Sequence, residues 1–165
     1  MKKLLVALIL LSGCATVNEP VKMQVAFNHA EHEMFKRSGS HTVKGQAFLR
    51  QRNGGVVTCA GNAVLMFPDT PFFREFIKIV DSGKKPEITK TELIPENWRS
   101  IIKNSQCDAQ GNFSFTNIPT GQWIVVTTVV WQIPGRYTAY DQGGSVIKYF
   151  MVNGDTQILL SDQDR

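Results

Sequence analysis

A chain of 165 residues with 42% apolar and 19% charged side chains is long enough for one globular domain with an ordinary core, and too apolar for a disordered tail. Its formal charge of +4 includes Lys2 and Lys3; without them eighteen cations become sixteen against fourteen acids, and the charge falls to +2. No Lys/Arg run exceeds the pairs Lys36-Arg37 and Lys84-Lys85, so nucleic acid is not an expected partner.

At the amino terminus, Lys2 and Lys3 precede an apolar run over residues 4–11, too short to span a bilayer as a helix and suited to a secretory signal over residues 1–13. Leu11-Ser12-Gly13-Cys14 then resembles the bacterial lipobox: a Leu, two small residues and a Cys directly after the apolar run. That resemblance implies a diacylglycerol on the Cys14 sulfur, removal of the leader, and acylation of the new amino group by a fatty acid such as palmitate. Several chains anchor stably where one binds only marginally, because each buried methylene contributes about 0.8 kcal/mol. Ala15 rather than Asp follows the Cys, which by the same resemblance implies sorting to the outer membrane. Residues 14–20 then serve as a lipidated tether and the domain faces the periplasm. An ordinary secretory signal with an incidental Cys at its end is the plainer alternative.

Setting Cys14 aside leaves Cys59 and Cys107, an even pair in a compartment that oxidises thiols, which predicts a disulfide across 48 positions. A two-thiol metal or redox site would need a CxxC spacing or a nearby His, and neither is present.

Val21, Met23, Val25 and Phe27 alternate with Lys22, Gln24 and Ala26, the period of a half-buried strand, so a strand over residues 21–27 is expected to open the domain. The following HAEHEMFKRSGSH reads mainly as an exposed connection with room for one or two helical turns. Val43, Gly45, Ala47 and Leu49 share one face of a second strand, and Asn53-Gly54-Gly55 turns it into residues 56–59 as a hairpin. Residues 63–67 form a short strand closed by Pro68. Residues 69–106 read as an insertion in which Phe72, Phe73, Phe76, Ile77 and Val80 recur at helical spacing. A further turn is expected to begin at Pro95 and carry Trp98, Ile101 and Ile102 inward. Strand periods return over residues 112–116 around Phe113 and Phe115, and residues 122–132 are apolar on both faces, as a central strand covered twice would be. Residues 145–152 and 156–160 are expected to pair as a hairpin through Asn153-Gly154. The pattern predicts a mainly-β fold: an antiparallel β-sandwich of seven or eight strands over residues 21–165, with a short helical insertion.

The segment DAQGNFSFTNIPTGQWIVV, starting at Asp108, resembles the signature of carboxypeptidase regulatory-like domains, whose fold is a transthyretin-like sandwich. The matching positions are Asp108, Gly111, Phe113, Phe115, Ile118, Pro119, Gly121, Trp123 and Val125, with Trp123 where that family usually has Tyr. Upstream, Gly45, the run Cys59-Ala60-Gly61-Asn62-Ala63-Val64 and Pro68 extend the likeness over residues 43–132 in two parts. The resemblance implies a non-catalytic module that binds or assembles, and implies no peptidase activity.

Candidate sites are few. His29, His32 and Glu33 could present metal ligands on a helix, with His41 across a Gly-containing linker, but no third fixed ligand is evident. The bland account is a solvated helix or loop, so neither metal nor cofactor is expected. No nucleophile elbow or phosphate cradle occurs, and the carboxylate pairs Glu31/Glu33 and Asp162/Asp164 lie in polar stretches, so no enzyme activity is expected. Trp131, Arg136, Tyr137 and Tyr140 cluster around a loop after the central strand and form the candidate partner-binding surface, because exposed rings beside Arg anchor interfaces. Core or turn packing is the plainer account of these rings. The sequence thus reads as a membrane-anchored lipoprotein acting as a binding or assembly module of the bacterial cell envelope, with an envelope protein or a glycan as partner. Its alternatives are a carbohydrate- or peptidoglycan-binding lipoprotein and an accessory of a secretion or conjugation apparatus.

Overall fold

A computed structural model describes residues 19–88 and 100–165. Cys14, Pro95 and Trp98, with the expectations attached to them, lie outside the described residues. The chain opens with strand β1 (Val21–Lys22), helix α1 (His29–Lys36), β2 (His41–Arg50), β3 (Val56–Thr58) and β4 (Ala63–Pro68). Helix α2 (Pro71–Asp81), β5 (Pro86–Glu87) and β6 (Lys103–Gln106) follow. Then come β7 (Asn112–Ile118), β8 (Gly121–Pro134), β9 (Ala139–Val152), β10 (Thr156–Leu160) and a closing 3-10 turn (Asp162–Asp164).

Two four-stranded sheets form a mainly-β sandwich. One places β10 and β7 on β2, with β3 continuing along β2, and the other runs β6-β4-β8-β9. β8 is the spine. Trp123, Ile124 and Val125 are buried in succession, which the two faces of the strand explain. Val125 pairs with Met66 toward the sandwich interior, whereas Ile124 pairs with Phe67, whose ring lies 5.4 Å from Phe73 and 6.2 Å from Phe76 of α2. Around Ile124 the sandwich covers one face and α2 the other, so the strand is apolar on both faces there, whereas Thr128 and Val130 farther along the outer face are exposed. In the facing sheet Val43, Ala47 and Leu49 are fully buried. Between them Gly45 lets the Phe113 ring and Ile158 close over β2, since a Cβ there would stand 2.3 Å from a Phe113 ring carbon.

Local chemistry makes the connections. Asn28 caps α1 by accepting from the backbone N of Ala30, and Thr70 caps α2 by accepting from that of Phe73. α2 ends in a Schellman turn, with Gly83 at φ 75° and Lys84 N donating to Ile79 O. Asp108 Oδ1 accepts from the backbone N of Gln110 and Asn112 at 2.9 and 2.8 Å. The Asn112 side-chain amide and these backbone donors hold the Asp108 carboxyl below the ordinary carboxylate range. The same turn needs Gly111, at φ 82°, because a Cβ would stand 2.7 Å from Ala47 O. Cys59 and Cys107 form a disulfide with Cα atoms 5.8 Å apart.

The structure differs from the sequence reading in five places. Residues 21–27 keep the expected alternation of burial but form a ladder only at β1, which pairs in parallel with β5. Beyond it the Glu75 carboxylate, rather than a neighbouring strand, accepts from the backbone N of Gln24 and Val25 at 2.8 and 2.7 Å. The His-rich stretch is a two-turn helix with Phe35 and His32 buried, not an exposed connection. β5 and β6 are additional strands within the stretch read as an insertion. β6, with the sequence KNSQ, is a polar edge strand on β4 and carries no apolar period to reveal it. β10 pairs in parallel with β2, and β9 lies in the other sheet. Asn153-Gly154 therefore joins two sheets instead of closing a hairpin, and neither residue takes the positive φ that a type I′ turn requires. Finally, Val80 in the last turn of α2 is 48% exposed, while Ile79, whose carbonyl accepts from Lys84 N in the Schellman turn, is buried.

Candidate functional site

β8 and β9 pair without interruption from Gly121↔Val152 to Pro134↔Ala139. β4 accompanies β8 only as far as Thr127, so the outer half of the hairpin is a two-stranded ribbon. Directly opposed residues of antiparallel strands share a face. Trp131 opposes Gln142, and Ile133 opposes Tyr140. These four side chains continue the inner face of the sandwich past its rim. The reverse face carries Gln132 and Asp141, joined by a hydrogen bond from Gln132 Nε2 to Asp141 Oδ1 at 3.2 Å.

Trp131 and Tyr140 are thus brought together by strand register, not by a loop. Trp131 is half-buried against the core, while Tyr140 is 56% exposed with its ring over Gly135, where a Cβ would stand 2.1 Å from a ring carbon. Arg136 and Tyr137 occupy the turn at the ribbon tip. Tyr137 is 86% exposed, and the Arg136 guanidinium lies 5.6 Å from its ring centroid. Gly143 lets Trp131 lie flat, since a Cβ at that position would meet the indole at 3.0 Å and Val129 O at 2.0 Å.

The other wall of this site comes from a turn that carries no functional signal in the sequence. Gln51, Arg52 and Asn53, from the β2–β3 turn of the opposite sheet, line an open groove of about 240 Å³ together with Trp131, Ile133 and Gln142. Asn53-Gly54-Gly55 announces the turn, but only the stacking of the two sheets sets it beside Trp131. Three amides, one guanidinium and an aromatic ring make a surface that hydrogen-bonds and stacks. It holds no carboxylate, thiol or imidazole.

A second, wider groove of about 790 Å³ crosses the outer face of β10-β2-β7 and is lined by Lys44, Gln46, Asn112 and Ser114, among others. Gln46 and Asn112 spend their amide N–H groups on Gln110 O and the Asp108 carboxylate, and the groove presents no indole or phenol ring.

The histidines do not converge. His32 is fully buried, stacked on Phe27 at 4.2 Å, while His41 Nε2 lies 3.0 Å from the Thr120 hydroxyl. Glu33 is exposed and paired with Lys36 at 2.9 Å. Among the described residues no group of three or more His, Cys, Asp or Glu side chains is placed to hold a metal ion. Phe72 and Phe73 pack inward as core.

No protein-family model matches the chain, and no curated protein matches it. Among solved structures it is similar to a crystal structure from Pseudomonas aeruginosa described as a "putative carbohydrate binding protein". The two share 20% sequence identity, the likeness covers 82% of this chain and 97% of that chain, and the TM-score is 0.67. At that identity the likeness establishes a shared fold.

Proposed function

We propose that this protein is a non-catalytic glycan-binding module, resembling carboxypeptidase regulatory-like domains, that a lipid on Cys14 tethers to the bacterial outer membrane on its periplasmic side. The observation that carries the glycan reading is the shared face of Trp131 and Tyr140 beside the amides of Gln51, Asn53 and Gln142. A sugar ring offers an apolar C–H face to an indole and a rim of hydroxyls to amides, and the groove is open enough for a chain to lie across it. The description carried by the Pseudomonas aeruginosa structure lends the same reading support through the shared fold. The ribbon tip and the amino-terminal segment also lie at opposite ends of β8. Asp69 N donates to Gln122 O at the start of that strand, where α2 and the segment held by Glu75 pack. A tethered domain so built would present its aromatic end away from the membrane.

The test is tryptophan emission of the detergent-solubilised full-length protein during titration with oligosaccharides, peptidoglycan fragments included. Binding that perturbs the emission and weakens about tenfold or more in Trp131→Ala, with Tyr140→Ala weaker as well, supports the reading. Capture of a discrete envelope protein through the same ring residues, with no glycan bound, would replace it by an adaptor role.

A further inference from the structure

We propose that the groove selects carboxylate-bearing glycans, with Arg52 as the group that recognises the acid; this rests on the glycan reading above and narrows it. The groove holds a positive charge without an acidic partner. Arg52 lines the same groove as Trp131, and no carboxylate in the described residues pairs with it. The acid nearest in the ribbon, Asp141, is held on the reverse face by its pairing with Gln132. Two other acids on the carboxy-terminal segment are occupied: Asp162 Oδ1 accepts from Arg50 N, and Asp164 Oδ1 from Lys148 Nζ at 2.8 Å.

The groove therefore combines a stacking ring, three amides and one uncompensated guanidinium. A guanidinium presents a planar fork that matches a carboxylate with two parallel hydrogen bonds, whereas a neutral sugar gives it only hydroxyls. A pyranose stacked on Trp131 and carrying a carboxylate would use both features together. Arg136, whose guanidinium has the Tyr137 ring as its contact, adds a second positive charge at the ribbon tip and would favour a polymer with repeated acids. Two sources share this chemistry: a uronic-acid polymer and peptidoglycan glycan strands freed of their stem peptides, on which the muramic-acid carboxylates are exposed.

Calorimetric titration of the detergent-solubilised full-length protein with three oligomers of equal length separates the cases: a uronate chain, a peptide-free muramic-acid chain and a neutral glucose chain. The proposal expects one or both acidic chains to bind about tenfold tighter than the neutral one, with the preference shrinking at high salt. Arg52→Gln should abolish the preference by weakening the acidic chains about tenfold more than the neutral one, with the thermal midpoint unchanged, and Arg52→Lys should restore part of it. Trp131→Ala should weaken acidic and neutral chains alike. Equal binding of all three chains, or an acidic preference untouched in Arg52→Gln, overturns the charge selection and leaves the glycan reading standing. Binding of none of the three overturns both.

Discussion

His32 Nε2 lies 3.0 Å from the Thr70 hydroxyl, so the one fully buried histidine is bonded to the residue that caps α2. The opposite nitrogen, Nδ1, is 2.7 Å from Asn28 O. A carbonyl only accepts, so Nδ1 carries the proton and Nε2 accepts from Thr70, which in turn accepts from Phe73 N. This relay ties the start of α1 to the start of α2 through a neutral imidazole.

Burial pushes His32 below its ordinary value of 6.5, against the raising effects of the Asn28 carbonyl and Glu31 and with help from His29 and Lys36. The native state thus prefers the neutral ring, while the unfolded chain protonates near 6.5. The stability contribution is fully present above pH 6.5, falls as pH drops through that value, and levels off below the native-state value. Thermal midpoints measured across this window should show the fall. His32→Ala should flatten it and lower stability by about 2–4 kcal/mol through the lost packing and hydrogen bonds.

Glu75 substitutes for a missing strand partner of residues 21–27 by accepting from Gln24 N and Val25 N. Glu75→Ala should cost about 1.5–3 kcal/mol, the range for hydrogen bonds to a charged group. Hydrogen exchange should speed up at the amides of Gln24 and Val25, while those of β8 keep their protection relative to global stability. Unchanged exchange at those two amides would show that apolar packing alone holds the segment.

The Cys59–Cys107 bridge closes a separation of 48 residues. Chain entropy sets its contribution at about 4 kcal/mol. Denaturant unfolding with and without reductant, and of the Cys59→Ser/Cys107→Ser double variant, should show a loss of that order, with the reductant having no effect on the variant.

Gly143→Ala tests the support beneath the candidate site. Its Cβ would collide with Val129 O and press on the Trp131 indole, and the φ of 102° resists any side chain. The variant should lose about 1–3 kcal/mol and change the near-ultraviolet circular dichroism, and glycan affinity should fall even though Gly143 need not touch the ligand. Gly54→Ala, strained at φ 87° but with open space around it, controls for backbone strain alone.

The tether proposed at Cys14 has its own test. In a bacterial host the wild-type chain should incorporate labelled palmitate and fractionate with the outer membrane, whereas Cys14→Ser should be unlabelled and absent from the outer-membrane fraction. Outer-membrane retention of the unlabelled variant would exclude the lipid as the anchor.

Local chemistry and pattern alone determined much of this protein. The paired cysteines, the Asp108–Gly111 turn, the inward face of β2 and the double-sided burial at the start of β8 were legible because each depends on a count, a period or a turn within a few residues. Tertiary structure decided what depends on partners distant in the chain. It buried His32 under Thr70, 38 residues away, and gave Gln24 and Val25 to a carboxylate 51 and 50 residues away. It also sent β10 in parallel onto β2 and set the Arg52 turn against Trp131. A polar side chain's role is fixed by whichever group folding leaves opposite it, and no periodicity along the chain records that group.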